Sequence, residues 1–299
     1  MHIRASRSVN LLAVAALFAA CLGAVSGCGS EKEADSRADV TTDRARQVAA
    51  AWDGSTAAAA WRAGYYPMGE TVQLPRGGLR SQADKQAYED QSLVLRGKLP
   101  VTWPKDGRVT WARSGSVTRS LVGADESYKS LAGAGVNGKP HLTVTGAKLG
   151  EMSVATSRGP ATVPAWLFTL VGYPSPLKQA AAVPSKLPRP PIGPARDIPG
   201  YPINRLVRIA ADGRSVTVVA LHGVCDDGPE VDVLETRGSV VLSASIKYRK
   251  DGGDCTKQAR TQQVTVKLER PVGDRVLLDA PTGRPVPYKG PHGPSATWS

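Results

Sequence analysis

The chain has 299 residues, 38 Lys and Arg against 26 Asp and Glu, and a formal charge of +12. That balance favours anionic partners over cationic ones, and nucleic acid is set aside because no recognition helix or RNP-like strand accompanies the charge. No stretch carries a G-x-S-x-G elbow, an H-E-x-x-H pair, a phosphate-binding glycine loop or a dinucleotide fingerprint, so the common motif-bearing enzyme classes are unsupported.

At the start, Arg4 and Arg7 precede an apolar run from Leu11 to Val25, followed by Ser26-Gly27-Cys28. The run has 15 residues, short of the roughly 20 needed to span a bilayer, which argues for a cleaved signal over a transmembrane anchor. Val25-Ser26-Gly27-Cys28 resembles the lipobox of bacterial lipoproteins. The resemblance implies cleavage after residue 27, acylation of Cys28 and a chain held at the extracytoplasmic face of the membrane. Cys21 after Phe18-Ala19-Ala20 is a second, less typical candidate. Loss of residues 1–27 removes two basic residues and no acid, leaving 36 basic against 26 acidic residues. With Arg above Lys, abundant Ala, Gly and Pro and only two Phe, the chain resembles lipoproteins of high-GC Gram-positive bacteria.

Residues 28–40 are polar and aperiodic, which suits a flexible tether. A helix is predicted from a Thr42-Asp43 cap, with Ala45, Val48, Ala49 and Trp52 on one face, and an Ala-rich turn carries Trp61. Trp52, Trp61, Tyr65 and Tyr66 read as core in preference to an aromatic ligand platform. Strand signals follow at Leu93–Leu95, at Val101–Trp103 and Val109–Trp111 around an Asp106-Gly107 turn, at Ser116–Val122, and in a long hairpin of Leu142–Ala155 and Val163–Tyr173 turning at Ser157–Pro160. Pro164 cannot donate to a ladder, so its strand should begin there or lie at an edge. Residues 41–173 therefore read as an α+β domain.

Nine prolines between Pro174 and Pro202 predict a semi-rigid linker over 174–202 that separates two halves, with a PxxP docking ligand as the alternative. Residues 203–286 read as an all-β domain of sandwich or open-barrel type. Its expected strands are Leu206–Ile209, Val216–Leu221, Val231–Glu235, Val240–Tyr248, Val264–Leu268 and Val276–Leu278, with hairpin turns at Asp212-Gly213 and Arg237-Gly238. The tail 287–299 is Pro- and Gly-rich and is expected to be disordered.

With Cys21 removed and Cys28 acylated, Cys225 and Cys255 remain, and two thiols left in one exported segment are expected to pair. Such a bridge would draw Asp226 and Asp227 toward Asp251 and Asp254. Hard oxygen ligands there make a calcium candidate, although aspartates and glycines are also ordinary turn residues. The runs His222-Gly223-Val224-Cys225-Asp226, Gly253-Asp254-Cys255-Thr256 and Pro271-Val272-Gly273-Asp274-Arg275 resemble a module of exported proteins in high-GC Gram-positive bacteria, a resemblance that implies location and fold and no activity. His141, His222 and His292 are the histidines of the mature chain, and His292 sits in the tail.

The expected role is non-enzymatic binding or scaffolding in the cell envelope. Partners would be the membrane through the lipid, and an anionic wall polymer or another envelope protein. An envelope hydrolase with a dispersed site built on His141 or His222 is the alternative.

Overall fold

The computed structural model describes residues 29–289 except 113–114, 134–139, 249–255 and 257, with side chains from residue 39 onward. It is an α+β fold, predominantly β. The first helix, α1, spans Gly29–Trp52, so the segment expected to be a tether is helical. Glu31, Lys32, Glu33, Ala34, Arg37 and Ala38 are strong helix formers, and no Gly or Pro interrupts residues 30–52. Propensity summed over that window outweighs a start signal at Thr42-Asp43. The helix α2, Thr56–Ala63, is capped by the Ser55 hydroxyl, which accepts from the Ala58 N–H at 3.1 Å.

The next nine elements are β1 Val72–Gln73, α3 Gln82–Glu89, β2 Leu93–Lys98, β3 Asp106–Trp111, β4 Gly115–Ser120, α4 Ala124–Ala132, β5 Leu142–Thr156, β6 Gly159–Leu170 and β7 Leu177–Ala180. Their strands form one seven-stranded sheet around the β5–β6 hairpin, with β7 and β3 on the far side of β6 and β2 beside β5. Asp106 and Gly107 lie inside β3 instead of turning a hairpin, and β3 pairs with β4. Pro100 and Pro104 bracket Val101–Trp103 and remove backbone donors at both ends of that segment, which disfavours the strand predicted there.

Pro164 also departs from expectation, since β6 begins five residues before it and is flanked on both sides. On the side away from β5, the β6 partner changes from β3, at 161–162, to β7, at 165–168. The Pro164 carbonyl accepts from Ala181 N–H on that same side, so the proline nitrogen faces the gap between the two partners, where no ladder bond is lost.

The C-terminal strands are β8 Arg205–Ile209, β9 Ser215–Gly223, β10 Gly228–Glu235, β11 Ser239–Lys247, β12 Ala259–Lys267, β13 Val276–Asp279 and β14 Arg284–Pro285. They form a four-stranded sheet, β10-β11-β13-β14, and a three-stranded sheet, β12-β9-β8, that share one core. This core is not purely β. Val48 and Trp52 of α1, both fully buried, together with Ala45, Ala49, Ala58 and Trp61, pack with Val218, Val241, Leu242 and Leu277. The predicted amphipathic face is therefore correct, but its partner is the C-terminal sheet pair, through β11 and β10.

Polar contacts fix α1 in that seat. The Trp52 indole N–H donates to Gly283 O at 2.8 Å, and the Ser239 hydroxyl donates to Asp53 Oδ1 at 2.9 Å. A Cβ at Gly238 would lie 2.7 Å from the same Asp53 oxygen, so only glycine permits this approach. The Arg44 guanidinium, 7% exposed, donates to Ala280 O and Gly193 O. Asp279, 2% exposed, accepts from Ile203 N–H at 2.9 Å, Thr282 N–H at 3.0 Å and the Thr282 hydroxyl at 2.5 Å. Burial pushes the Asp279 carboxyl up, against the pull of these donors and of Arg44.

The proline-rich stretch is docked along both cores instead of holding them apart. Within it, β7 joins the first sheet, Arg119 donates to the Val183 and Pro184 carbonyls, Leu187 enters the second core, and Ala195 N–H donates to Pro281 O. Gly200 crosses β11 at φ +94°, and a Cβ there would sit 1.9 Å from Ala244 O. After β14, Leu206 N–H donates to Pro287 O and Tyr288 bridges to Leu206, so residues 287–289 are ordered, contrary to expectation, while 290–299 lie outside the described residues.

Trp52→Ala should destabilise the protein by about 3–5 kcal/mol, the usual consequence of emptying a buried tryptophan site, and lower the urea midpoint read by the C-terminal strands. An unchanged midpoint would contradict a core role for α1.

Candidate functional site

Two surface features offer ligand-binding chemistry. The first is the outward face of β12-β9-β8. Val216, Val218 and Ala220 of β9 point into the second core, so alternation turns Thr217, Val219 and Leu221 outward. Cross-strand register places Arg205 beside Val219 and Arg208 beside Thr217, and Thr261, Gln263, Thr265 and Lys267 on the same side of β12. The face therefore carries three cationic side chains among hydroxyls and amides, and none of these positions is acidic. Thr217 and Thr265 hydroxyls bond to each other at 2.9 Å. Val219 is only 6% exposed between Arg205 and Gln263, consistent with long side chains lying along the sheet.

The second feature is an open groove of about 300 Å³ on the first sheet, where β3 diverges from β6. Leu121, Leu149 and Pro164 line it apolarly, and Asp106 and Glu151 add two carboxylates. Asp106 already accepts from the Ser120 hydroxyl. Its volume is at the small end of ligand pockets.

The buried charges are structural. Glu235 Oε2 meets Arg275 at 2.8 Å, with the side chains 11% and 5% exposed. Burial pushes the Glu235 carboxyl up, but donors from Glu269 N–H, Arg275 and Arg270 N–H outweigh it and hold the group below the usual carboxylate range. Arg275 also donates to the Arg270 and Pro271 carbonyls, so the pair ties the β12–β13 connection to the end of β10.

The residues singled out from sequence are dispersed. His141 precedes β5 in the first lobe, whereas His222 lies near the end of β9 in the second, 9% exposed and with Nδ1 unpartnered. Neither lines the groove, and His292 lies outside the described residues. Asp226 Oδ2 accepts from Gly223 N–H at 2.6 Å and closes the turn after β9, while Asp227 N–H donates to Lys247 O. This is turn chemistry. Asp251 and Asp254 lie outside the described residues, and among the described residues no three His, Cys, Asp or Glu are grouped as for a metal. Cys225 lies in the turn that follows β9, and Cys255 and Cys28 lie outside the described residues.

Sequence reasoning missed the outward basic face, although Arg208 and Lys267 stand in strands it located and Arg205 lies one residue before one of them. The missing signal was register, which decides whether an arginine lies beside Val219 or faces another edge. The groove depends on the separation of β3 from β6 and has no linear signature. No helix among the described residues is long and apolar enough to cross a membrane. Comparison with family models, curated proteins and solved structures returns no match.

Proposed function

We propose that this chain is a cell-envelope lipoprotein that binds an anionic wall polymer without catalysis, on the outward face of β12-β9-β8. The observation that carries the reading is the placement of Arg205, Arg208 and Lys267 with Thr261, Gln263 and Thr265 on one face. Guanidinium and ammonium groups attract spaced phosphates or carboxylates, while hydroxyl and amide groups accept and donate to the intervening units. An extended sheet face suits a polymer better than a pocketed small molecule. The finer architecture we propose is a β sandwich with α1 and α2 as part of its core, preceded by an α+β sheet lobe.

The anchor belongs to the same reading. If Cys28 carries the lipid, α1 begins at the next residue, and residues 29–40 as helix set the packed body about 18 Å from the acylated residue at 1.5 Å per residue. That arrangement favours display at a defined height. Cys28→Ala should shift the protein from the membrane fraction to the medium or leave an uncleaved precursor; detergent-dependent retention of the variant contradicts the anchor.

Polymer binding should weaken as salt rises from 10 to 300 mM, because charge attraction between exposed groups is screened within about 8–10 Å near physiological ionic strength. Arg208→Ala combined with Lys267→Ala should reduce affinity for purified wall polymer about tenfold at low salt and flatten the salt dependence. Equal binding by the double variant removes this face from the reading.

The Cys225–Cys255 bridge is likewise proposed, with Cys225 positioned at the end of β9. Closing a loop of about 31 residues should contribute roughly 3–4 kcal/mol in the chain-entropy model. Reduction should therefore lower the melting temperature. Two alkylatable thiols in the oxidised, exported chain contradict the bridge.

A further inference from the structure

The two arginines of the outward face share it only because β8 is bulged. Arg205 and Arg208 are three residues apart, a separation that in an unbroken strand turns side chains to opposite faces. The register of β8 on β9 shifts between Leu206 and Arg208, leaving Val207 out of the pairing and setting Arg205 beside Val219 and Arg208 beside Thr217. Both arginines therefore point outward, while Leu206 and Ile209 keep to the second core. A bulge interrupts the ladder and re-aims a side chain, and the side chain turned out of the core here is a guanidinium.

The cations form a track. Two rungs of the ladder separate Arg205 from Arg208, about 6.6 Å at 3.3 Å per residue. Lys267 stands beside Ser215, two rungs further in the same direction and two strands across, about 12 Å from Arg208 with strands ~4.8 Å apart. None of the three has an ion-pair or hydrogen-bond partner among the described residues, whereas Arg44, Arg119 and Arg275 donate to main-chain carbonyls. At the Arg205 end the Tyr288 hydroxyl is bonded to Glu70, whose carboxylate repels an anionic chain, so the track runs from Arg205 toward Lys267.

We propose that the anion read by this face is the phosphate of a linear phosphodiester polymer of short polyol units, with consecutive phosphates on Arg205 and Arg208 and the chain continuing toward Lys267. The proposal rests on the polymer reading above and names its chemistry. In such a polymer the charges belong to the main chain, so bonds fix their spacing. A three-carbon unit puts six bonds between neighbouring phosphorus atoms, about 7 Å in an extended chain that advances ~1.2 Å per bond, which matches two rungs. Each guanidinium presents a planar fork to the two free oxygens of one phosphate. Thr261 and Gln263, exposed on β12, offer a hydroxyl and an amide to the polyol hydroxyls. A uronic-acid glycan fits less well. Its carboxylates are separated by whole sugar rings, and the apolar faces of such rings pack on aromatic side chains, of which the outward positions of β8, β9 and β12 carry none.

Charge-retaining variants separate this chemistry from general attraction. The full-length, detergent-solubilised protein is titrated at 20 mM salt with an octamer of glycerol phosphate and with an octamer of glutamate. The phosphate octamer should bind about tenfold more tightly. Arg205→Lys combined with Arg208→Lys keeps both charges and removes both forks; it should bring the phosphate octamer down to the glutamate affinity and leave glutamate binding within about twofold. An octamer with six-carbon units between its phosphates should bind the wild-type chain several-fold more weakly than the three-carbon one. Equal affinity for the phosphate and glutamate octamers, a preference that persists in the lysine variant, or indifference to unit length overturns the assignment and leaves the polymer reading standing. Absence of binding to every octamer at low salt removes both.

Discussion

A guanidinium and a carboxylate both withdrawn from water constrain this fold more than any other feature. Burial of such groups is unfavourable unless their hydrogen-bonding capacity is met. Asp279 is met by donors from Ile203 and Thr282, and Arg44 by the carbonyls of Ala280 and Gly193. These partners come from the first helix, the proline-rich stretch and the turn after β13. If one of these segments left its seat, a buried charged group would lose hydrogen-bond partners, a penalty of at least about 1–3 kcal/mol. The same neighbourhood holds Trp52 against Gly283 and Asp53 against Ser239, so apolar burial and polar satisfaction act on the same helix.

This constraint explains the path of the chain. α1 and α2 belong to the second core, the chain leaves to form the first sheet, and it returns along residues 181–204. The departing and returning segments bond to each other: Ser185 N–H donates to Tyr65 O, Tyr65 N–H to the Ser185 hydroxyl, and the Tyr66 hydroxyl to Lys186 O. Trp61 stacks on Tyr66 with ring centroids 4.4 Å apart, adding contact at the crossing. The polyproline stretch thus serves as a strap whose carbonyls are used by Arg44 and Arg119. Movement of the two lobes relative to each other would have to break these bonds.

Local pattern was legible and partnership was not. The alternation in Leu142–Ala155 and Val163–Leu170, and the Asp-Gly and Arg-Gly turns at 212–213 and 237–238, correspond to real hairpins because their pairing is set by neighbouring residues. The period of Ala45, Val48, Ala49 and Trp52 identified the buried face of α1, but nothing in a helical period names the sheet it meets more than 150 residues away. Asp106-Gly107 misled because the pair serves a strand here, with Asp106 bonded to Ser120 and Gly107 against Pro164. Two short helices were missed although Ser81 caps α3 by accepting from Asp84 N–H; their apolar faces are too small to give a period. Of the candidate sites, the lone histidines and carboxylates were visible as residue types, whereas the basic face exists only once register aligns three strands.

The central claim is that residues 41–52 form part of the second core and open only with it. Native-state hydrogen exchange across the intact protein tests it most directly, because exchange of each amide reports the free energy of the opening that exposes it. Amides of residues 45–52 should exchange with the same opening free energy and the same denaturant dependence as those of β11 and β13. Exchange of that helix at low denaturant, with β11 and β13 still fully protected, would contradict the account.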